Sequence, residues 1–282
     1  MIHRMTFTTW LAIAMLTAVF LLITIVPWLS GYAPYKQDLA SGLLLPFERL
    51  ENGQLSVFGT DSLGRDILSR MALAGRVSLF IGLSAVAVSM VVGVVLGLLA
   101  GYFRGWTETV IMGFADLQLS IPRVLLLIAV TAMLGSTVVN LMILLGLTSW
   151  VAYGRVARAM SLSLREREFV LSAITQGATP AWNIRKHLLP NVLPQMVIVG
   201  SFELGQIIVL EAALSYLGLG IQPPLPSWGL MISEGQSYLE INPWLSVLPG
   251  LALFMLVAGV QFLTQSLTAE GEDERSLTVR TV

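Results

Sequence analysis

The feature that most constrains this chain is a series of nearly uncharged apolar runs, each long enough to cross a bilayer. A membrane-spanning helix needs about 20 consecutive apolar residues. Phe7 to Trp28 and Val77 to Phe103 meet that length without one charged residue. Further runs cover Thr109 to Leu134 (with Asp116, Pro122 and Arg123), Val138 to Gly154, Val192 to Leu214 (with Glu203) and Trp244 to Leu267. Soluble domains are about a quarter charged; here 12% of 282 residues are charged and 55% are hydrophobic. The expected fold class is therefore all-α integral membrane with six transmembrane helices. The first run follows His3 and Arg4, exceeds a signal-peptide apolar core and lacks an Ala-x-Ala cleavage site, so it reads as a retained helix. Residues 1–76 form an N-terminal helix and external segment, 77–268 a five-helix core with a loop at 161–190, and 269–282 a cytoplasmic tail.

Composition also excludes several functions. A net charge of −1 offers no general attraction for nucleic acid. The absence of cysteine rules out disulfides, thiolate metal sites and cysteine nucleophiles. His3 and His187, the two histidines, make no zinc or nickel cluster. The expectation is a chain that binds no metal and no cofactor of its own.

Lys and Arg placement sets the sidedness. Arg155, Arg158, Arg165, Arg167, Arg185 and Lys186 crowd the segment from Arg155 to Pro190, whereas Ser215 to Trp244 carries only Glu234 and Glu240 as charges. With Arg4, Arg104, Arg275 and Arg280, this leads to the expectation that both termini are cytoplasmic. The segment Ser30 to Arg76 should be external although it contains Lys36, Arg49, Arg65, Arg70 and Arg76. Its acids Asp38, Glu48, Glu51, Asp61 and Asp66 accompany them, and long loops cross largely regardless of charge.

Close helix contact in lipid depends on small residues, and Gly93, Gly97, Gly101 and Gly105 recur at intervals of four. They predict a packing stripe on the second helix. Ionisable residues at membrane depth are functional candidates. Asp116 and Arg123, seven apart, should share a face of the third helix; they and Glu203 either pair with neighbouring helices or face a translocation pathway. Glu211 is expected near the outer end of the fifth helix, in contact with solvent.

The loop between the fourth and fifth helices is the most informative stretch. Ser163 and Glu166 have capping-box spacing. A mixed helix containing Phe169, Val170, Ala173 and Ile174 follows, and Gly177 is placed to end it. Thr179 and Pro180 fit the N-cap and first position of a second short helix, which Pro190 should close. A helix–Gly–helix knob of this kind is suited to docking on another protein and passing on its motion.

Here the residues carry a resemblance. Ser172-Ala173, Gly177-Ala178, His187 and Leu189-Pro190 stand in the register of the EAA loop of ABC-importer permeases, Glu-Ala-Ala-x3-Gly-x9-Ile-x-Leu-Pro, with Leu171 in the Glu position and His187 in the Ile position. Gly59-Thr60-Asp61 and Gly64-Arg65-Asp66 resemble the Leu-Gly-Thr-Asp-x-x-Gly-Arg-Asp signature of dipeptide, oligopeptide and nickel permeases. The stretches from Glu211 to Gly229 and from Pro243 to Phe254 resemble that family too, and the short first loop suggests its C-type subunit. The end departs from the pattern: Gln261 to Ala269 lacks the family's closing Asp and Arg.

The resemblance implies a type I ABC-importer permease architecture whose EAA loop is the coupling loop. It implies a second permease subunit, two cytoplasmic ATPase subunits that hold ATP and Mg, and an external solute-binding protein. The solute would be a peptide or a related small molecule such as a nickel complex. The sequence itself agrees on the division of labour. A phosphate loop needs Gly-Lys-Ser/Thr, and Lys36 and Lys186, the only lysines, precede Gln37 and His187. Glycines in the Gly59–Asp66 signature fit tight turns, and Asp61, Arg65 and Asp66 fit an ion-pair network. The rival readings are a proton-coupled secondary transporter using Asp116 and Glu203, whose sign would be inverted repeats with broken helices, and a purely structural membrane scaffold.

Overall fold

A computed structural model describes residues 7–29, 32–50 and 53–280, with side chains to 266 and at 268. His3, Arg4, Ser30, Glu51 and the side chains of Arg275 and Arg280 lie outside the described residues. Ten α-helices follow in order: α1 (Phe7–Ile25), α2 (Ile67–Phe103), α3 (Gly105–Ser120), α4 (Arg123–Leu134), α5 (Val138–Arg165), α6 (Glu168–Thr175), α7 (Pro180–Asn183), α8 (Leu189–Tyr216), α9 (Trp228–Gln236) and α10 (Trp244–Arg280). Five helical stretches are long and apolar enough to span a bilayer, and α3 with α4 makes a sixth if that bent pair is one span.

The bend corrects the expectation of a straight third helix. α3 and α4 meet at 89° across Ser120-Ile121-Pro122. Pro122 has no N–H to continue the ladder, and its ring pushes the preceding residue out of the helical region. Ile121 is accordingly extended, at φ −97° and ψ 127°. Asp116 and Arg123 therefore lie on two different helices and share no face.

Two compact units divide the chain. The first comprises Met1–Gly82, Leu134–Leu141 and Ile208–Val282. In it α1 packs on α10, where Gly259 leaves room for Leu16. Trp228 is wholly buried and its indole N–H donates to the Met71 carbonyl at 3.1 Å. Gly229 lies so close to Ala212 that a methyl there would stand 2.2 Å from the Ala212 carbonyl oxygen.

The second unit comprises Leu83–Met133 and Met142–Ile207. Its core gathers Val94, Leu98, Tyr102, Tyr153, Ala157, Val170, Leu188, Val192 and Met196. The glycine stripe sets the α2–α5 distance. A methyl at Gly93 would fall 2.5 Å from the Trp150 carbonyl oxygen, at Gly97 2.4 Å from that of Gly154, and at Gly101 2.6 Å from that of Arg158. Gly105 is not part of this stripe: α2 ends at Phe103, and Gly105 opens α3 with φ +53°, where an added methyl would meet nothing within 4 Å.

Candidate functional site

Three groups of residues concentrate chemistry, and each is held by recognisable local rules. The first is the knob after α5. Gly177 ends α6 in the left-handed region at φ +86°. Its N–H reaches the Ile174 carbonyl and that of Ala178 reaches the Ala173 carbonyl, both at 3.0 Å, which is the paired-bond Schellman closure. Thr179 then accepts from the Trp182 N–H at 3.3 Å, with Pro180 in the first turn. Ring contacts join the two short elements: His187 stands edge-on to Phe169 at 5.5 Å and to Trp182 at 5.0 Å. Val170 is fully buried and Asn183 donates to the Tyr102 hydroxyl at 3.3 Å, so the knob is seated on the α2–α5 core. Outward it shows Leu171, Ser172, Ile174, Gly177 and Trp182, while Ala173, Ala178, His187 and Leu189 are half-buried.

Two expectations about this loop fail. Ser163 caps nothing, because α5 runs on to Arg165, and Glu166 instead pairs with Arg104 at 2.7 Å. Pro190 closes no helix either: helical structure is continuous from Pro180 to Tyr216. A π turn at Ile184–Leu188 precedes it, with Leu189 N–H bonded to the Ile184 carbonyl. Widening the turn accommodates the missing N–H and the bulk of the Pro190 ring.

The second group is the turn before α2. Gly59 and Gly64 adopt φ +81° and +69°, and a methyl at Gly64 would stand 1.7 Å from the Asp38 carbonyl oxygen. Asp61 is the hub: it accepts from the Leu63 and Arg65 amides at 2.9 and 3.0 Å, from Arg65 Nε at 2.7 Å, and from Arg70. Arg70 also reaches Glu234 at 2.9 Å. Arg70 and Glu234 were not foreseen, since only a fold can bring residue 234 to residue 70. Asp66 stands outside this network and caps α2, accepting from the Ser69 amide at 2.8 Å. Thr60 is fully buried, donating to the Ser41 carbonyl at 2.5 Å and accepting from the Leu44 amide at 3.0 Å. A cleft of about 500 Å³ opens beside these turns, lined by Tyr32, Lys36, Asp38, Gln54, Asp66 and Ser69 among others. Burial raises the Tyr32 phenol above its ordinary range, only partly opposed by Arg76, and keeps it a neutral hydrogen-bonding group.

The third group is the set of ionisable residues in apolar helices. Asp116 pairs with Arg155 at 2.6 Å on an exposed face. Arg123 instead faces Glu203, 3.8 Å away, and donates to the Ser149 hydroxyl. Glu108 and Arg158 form a further pair at 2.6 Å. Glu211 is 1% exposed and not solvated as expected; Ser78 and Ser215 donate to its two oxygens at 3.0 and 2.7 Å. Among the described residues no cluster of His, Cys, Asp and Glu could hold a metal ion.

An apolar helical array of five or six candidate spans with a seated helix–Gly–helix knob defines a multi-pass membrane protein. Residues 93–269 match the family of binding-protein-dependent transport system inner membrane components, and the chain belongs to that family. It is similar to the glutathione transport system permease protein GsiD of Pectobacterium atrosepticum, 38% identical over 88% of this chain and 82% of that protein. It is similar also to the oligopeptide permease OppC of Haemophilus influenzae, 32% identical over 91% and 81%. A third relative is the di/tripeptide permease DppC of Pseudomonas aeruginosa, at 36% over 86% and 80%. In fold it matches the inward-facing MetNI methionine ABC transporter, with a TM-score of 0.56 and 19% identity over 71% of this chain and 95% of that one. The chain is thus a multi-pass permease subunit of an ABC importer and not itself an enzyme; ATP hydrolysis belongs to partner ATPases. The proton-coupled alternative draws no support from these likenesses.

Proposed function

We propose that this chain forms half of the path by which a short peptide or glutathione-like solute crosses the inner membrane, the other half coming from a second permease. Two ATPases carrying ATP and Mg drive it, and an external binding protein delivers the solute. Permeases named for glutathione, oligopeptides and di/tripeptides among the relatives support the solute class. The Lys and Arg bias supports cytoplasmic termini and a cytoplasmic knob. The observation that carries the reading is the α6–Gly177–α7 knob: its base is locked to the core, and its apolar tip is exposed. Ser172, Ala173 and Gly177-Ala178 present the docking face, and His187 with Leu189-Pro190 anchors it. The Gly59–Asp66 turns brace the start of α2, and Asp116, Arg123 and Glu203 are the pathway candidates.

Because the chain has no cysteine, Ser172→Cys introduces a unique thiol. In the assembled importer, a short thiol-to-amine cross-linker at that position should capture an ATPase subunit, whereas Gly113→Cys on α3 should not. An intact complex that yields no ATPase cross-link from Ser172→Cys would overturn this assignment of the knob.

A further inference from the structure

The break between α3 and α4 and the pair beside it have chemistry that packing alone does not use. Non-helical backbone at membrane depth is tolerated only where it is enclosed by protein or lines a watery cavity. Ile121-Pro122 is such backbone, and Arg123 follows it directly. A cation on the first turn of a helix opposes the helix dipole, so this position is unfavourable for arginine on structural grounds. Its counter-charge is loose. Nη1 of Arg123 is 3.8 Å from Glu203 Oε2, beyond hydrogen-bonding distance. Arg123 Nε and Glu203 Oε2 are both buried without a hydrogen-bond partner, and Glu203 as a whole is only 9% exposed. Nη2 is committed to Ser149. A guanidinium offers five donors in a planar fork, so several remain for an incoming acceptor. The neighbouring pairs behave differently: Asp116–Arg155 and Glu108–Arg158 both close to 2.6 Å.

The geometry points to Arg123 and Glu203 as a solute site for zwitterions: Arg123 takes a carboxylate, Glu203 takes an ammonium, and the two return to each other when the solute leaves. This rests on the reading of the chain as a peptide-class permease. Each solute end supplies the partner that the resting pair leaves unsatisfied, so charged groups cross the apolar region without being stripped of partners. The site selects free termini and is indifferent to the side chains between them.

The test uses the complete importer in proteoliposomes, with the unlabelled binding protein constant throughout. The probes are radiolabelled Ala-Ala and its C-terminal amide, compared as a ratio of uptake rates. Arg123→Gln should lower the Ala-Ala to amide ratio by about tenfold, the loss of one charge-assisted contact. Arg123→Lys should retain part of the preference. The swap of Arg123→Glu with Glu203→Arg restores an ion pair between α4 and α8, so it should recover any assembly that Arg123→Gln loses. An unchanged ratio in Arg123→Gln would show a merely structural pair and overturn the proposal. Wild-type importer that moves neither probe would instead overturn the peptide reading, and this site with it.

Discussion

At the residue scale, Asp61 shows how much one carboxylate can hold. It closes its own turn through two amides and binds two arginines, both reaching on to Glu234, Arg70 at 2.9 Å and Arg65 at 3.6 Å. The cluster is mostly buried, with Arg70 at 3% and Asp61 at 7% exposure. Removing one partner from a buried pair leaves an uncompensated charge and costs about 3–5 kcal/mol. Asp61→Ala should therefore lower the melting temperature of the detergent-purified importer clearly, whereas Asp61→Ala combined with Arg65→Met and Arg70→Met should recover much of the loss. A single variant as stable as the wild type in thermal unfolding would contradict this account. The Gly59–Asp66 signature was legible as a set of turns with ion pairs, because glycine and Asp declare both. Its reach to Glu234 was not, since no local pattern encodes a contact across 164 residues of chain.

At the scale of elements, the glycine stripe and the proline break show what local sequence does and does not announce. Gly93, Gly97 and Gly101 were readable as a packing face from their spacing, and α5 passes over them. Gly97→Ala places a methyl 2.4 Å from the Gly154 carbonyl oxygen, so α2 and α5 must part at a cost of about 1–3 kcal/mol. Gly113→Ala meets nothing within 4 Å and should be neutral or mildly stabilising, since alanine favours helix over glycine. Comparative denaturation of the two variants separates close packing from helix propensity. Pro122 announced its break, yet hydropathy averaged over the whole run hid it. Pro190 was misread in the opposite direction, because a proline within the first turns of a span needs only a widened turn before it. Ser163 and Glu166 had capping spacing, but α5 runs past Ser163 to Arg165 and leaves Glu166 to pair with Arg104.

At the scale of the whole molecule, the chain borrows its energy and supplies shape. Neither lysine sits in a phosphate loop, so the purified chain alone should hydrolyse no ATP above a detergent blank, measured by phosphate release. Addition of the partner subunits should bring hydrolysis with it; activity in the isolated chain would contradict the division of labour. The membrane class, the apolar spans other than the bent third and the knob were legible, because the bilayer imposes length and charge rules that few soluble folds share. The pairing of Arg123 with Glu203 was not, because both residues were visible only as isolated charges until α4 turned at Ser120-Ile121-Pro122.

The continuous helix from Pro180 to Tyr216 has a mechanical meaning. At 37 residues it is a rod of about 55 Å, and the knob's second element is simply its end. Leverage then follows from length: a tilt of about 10° at one end displaces the other by roughly 10 Å. The π turn and the prolines at 190 and 194 put compliance next to the handle and leave the long arm stiff. A push on Trp182 therefore meets that compliant joint first and moves the stiff arm through it.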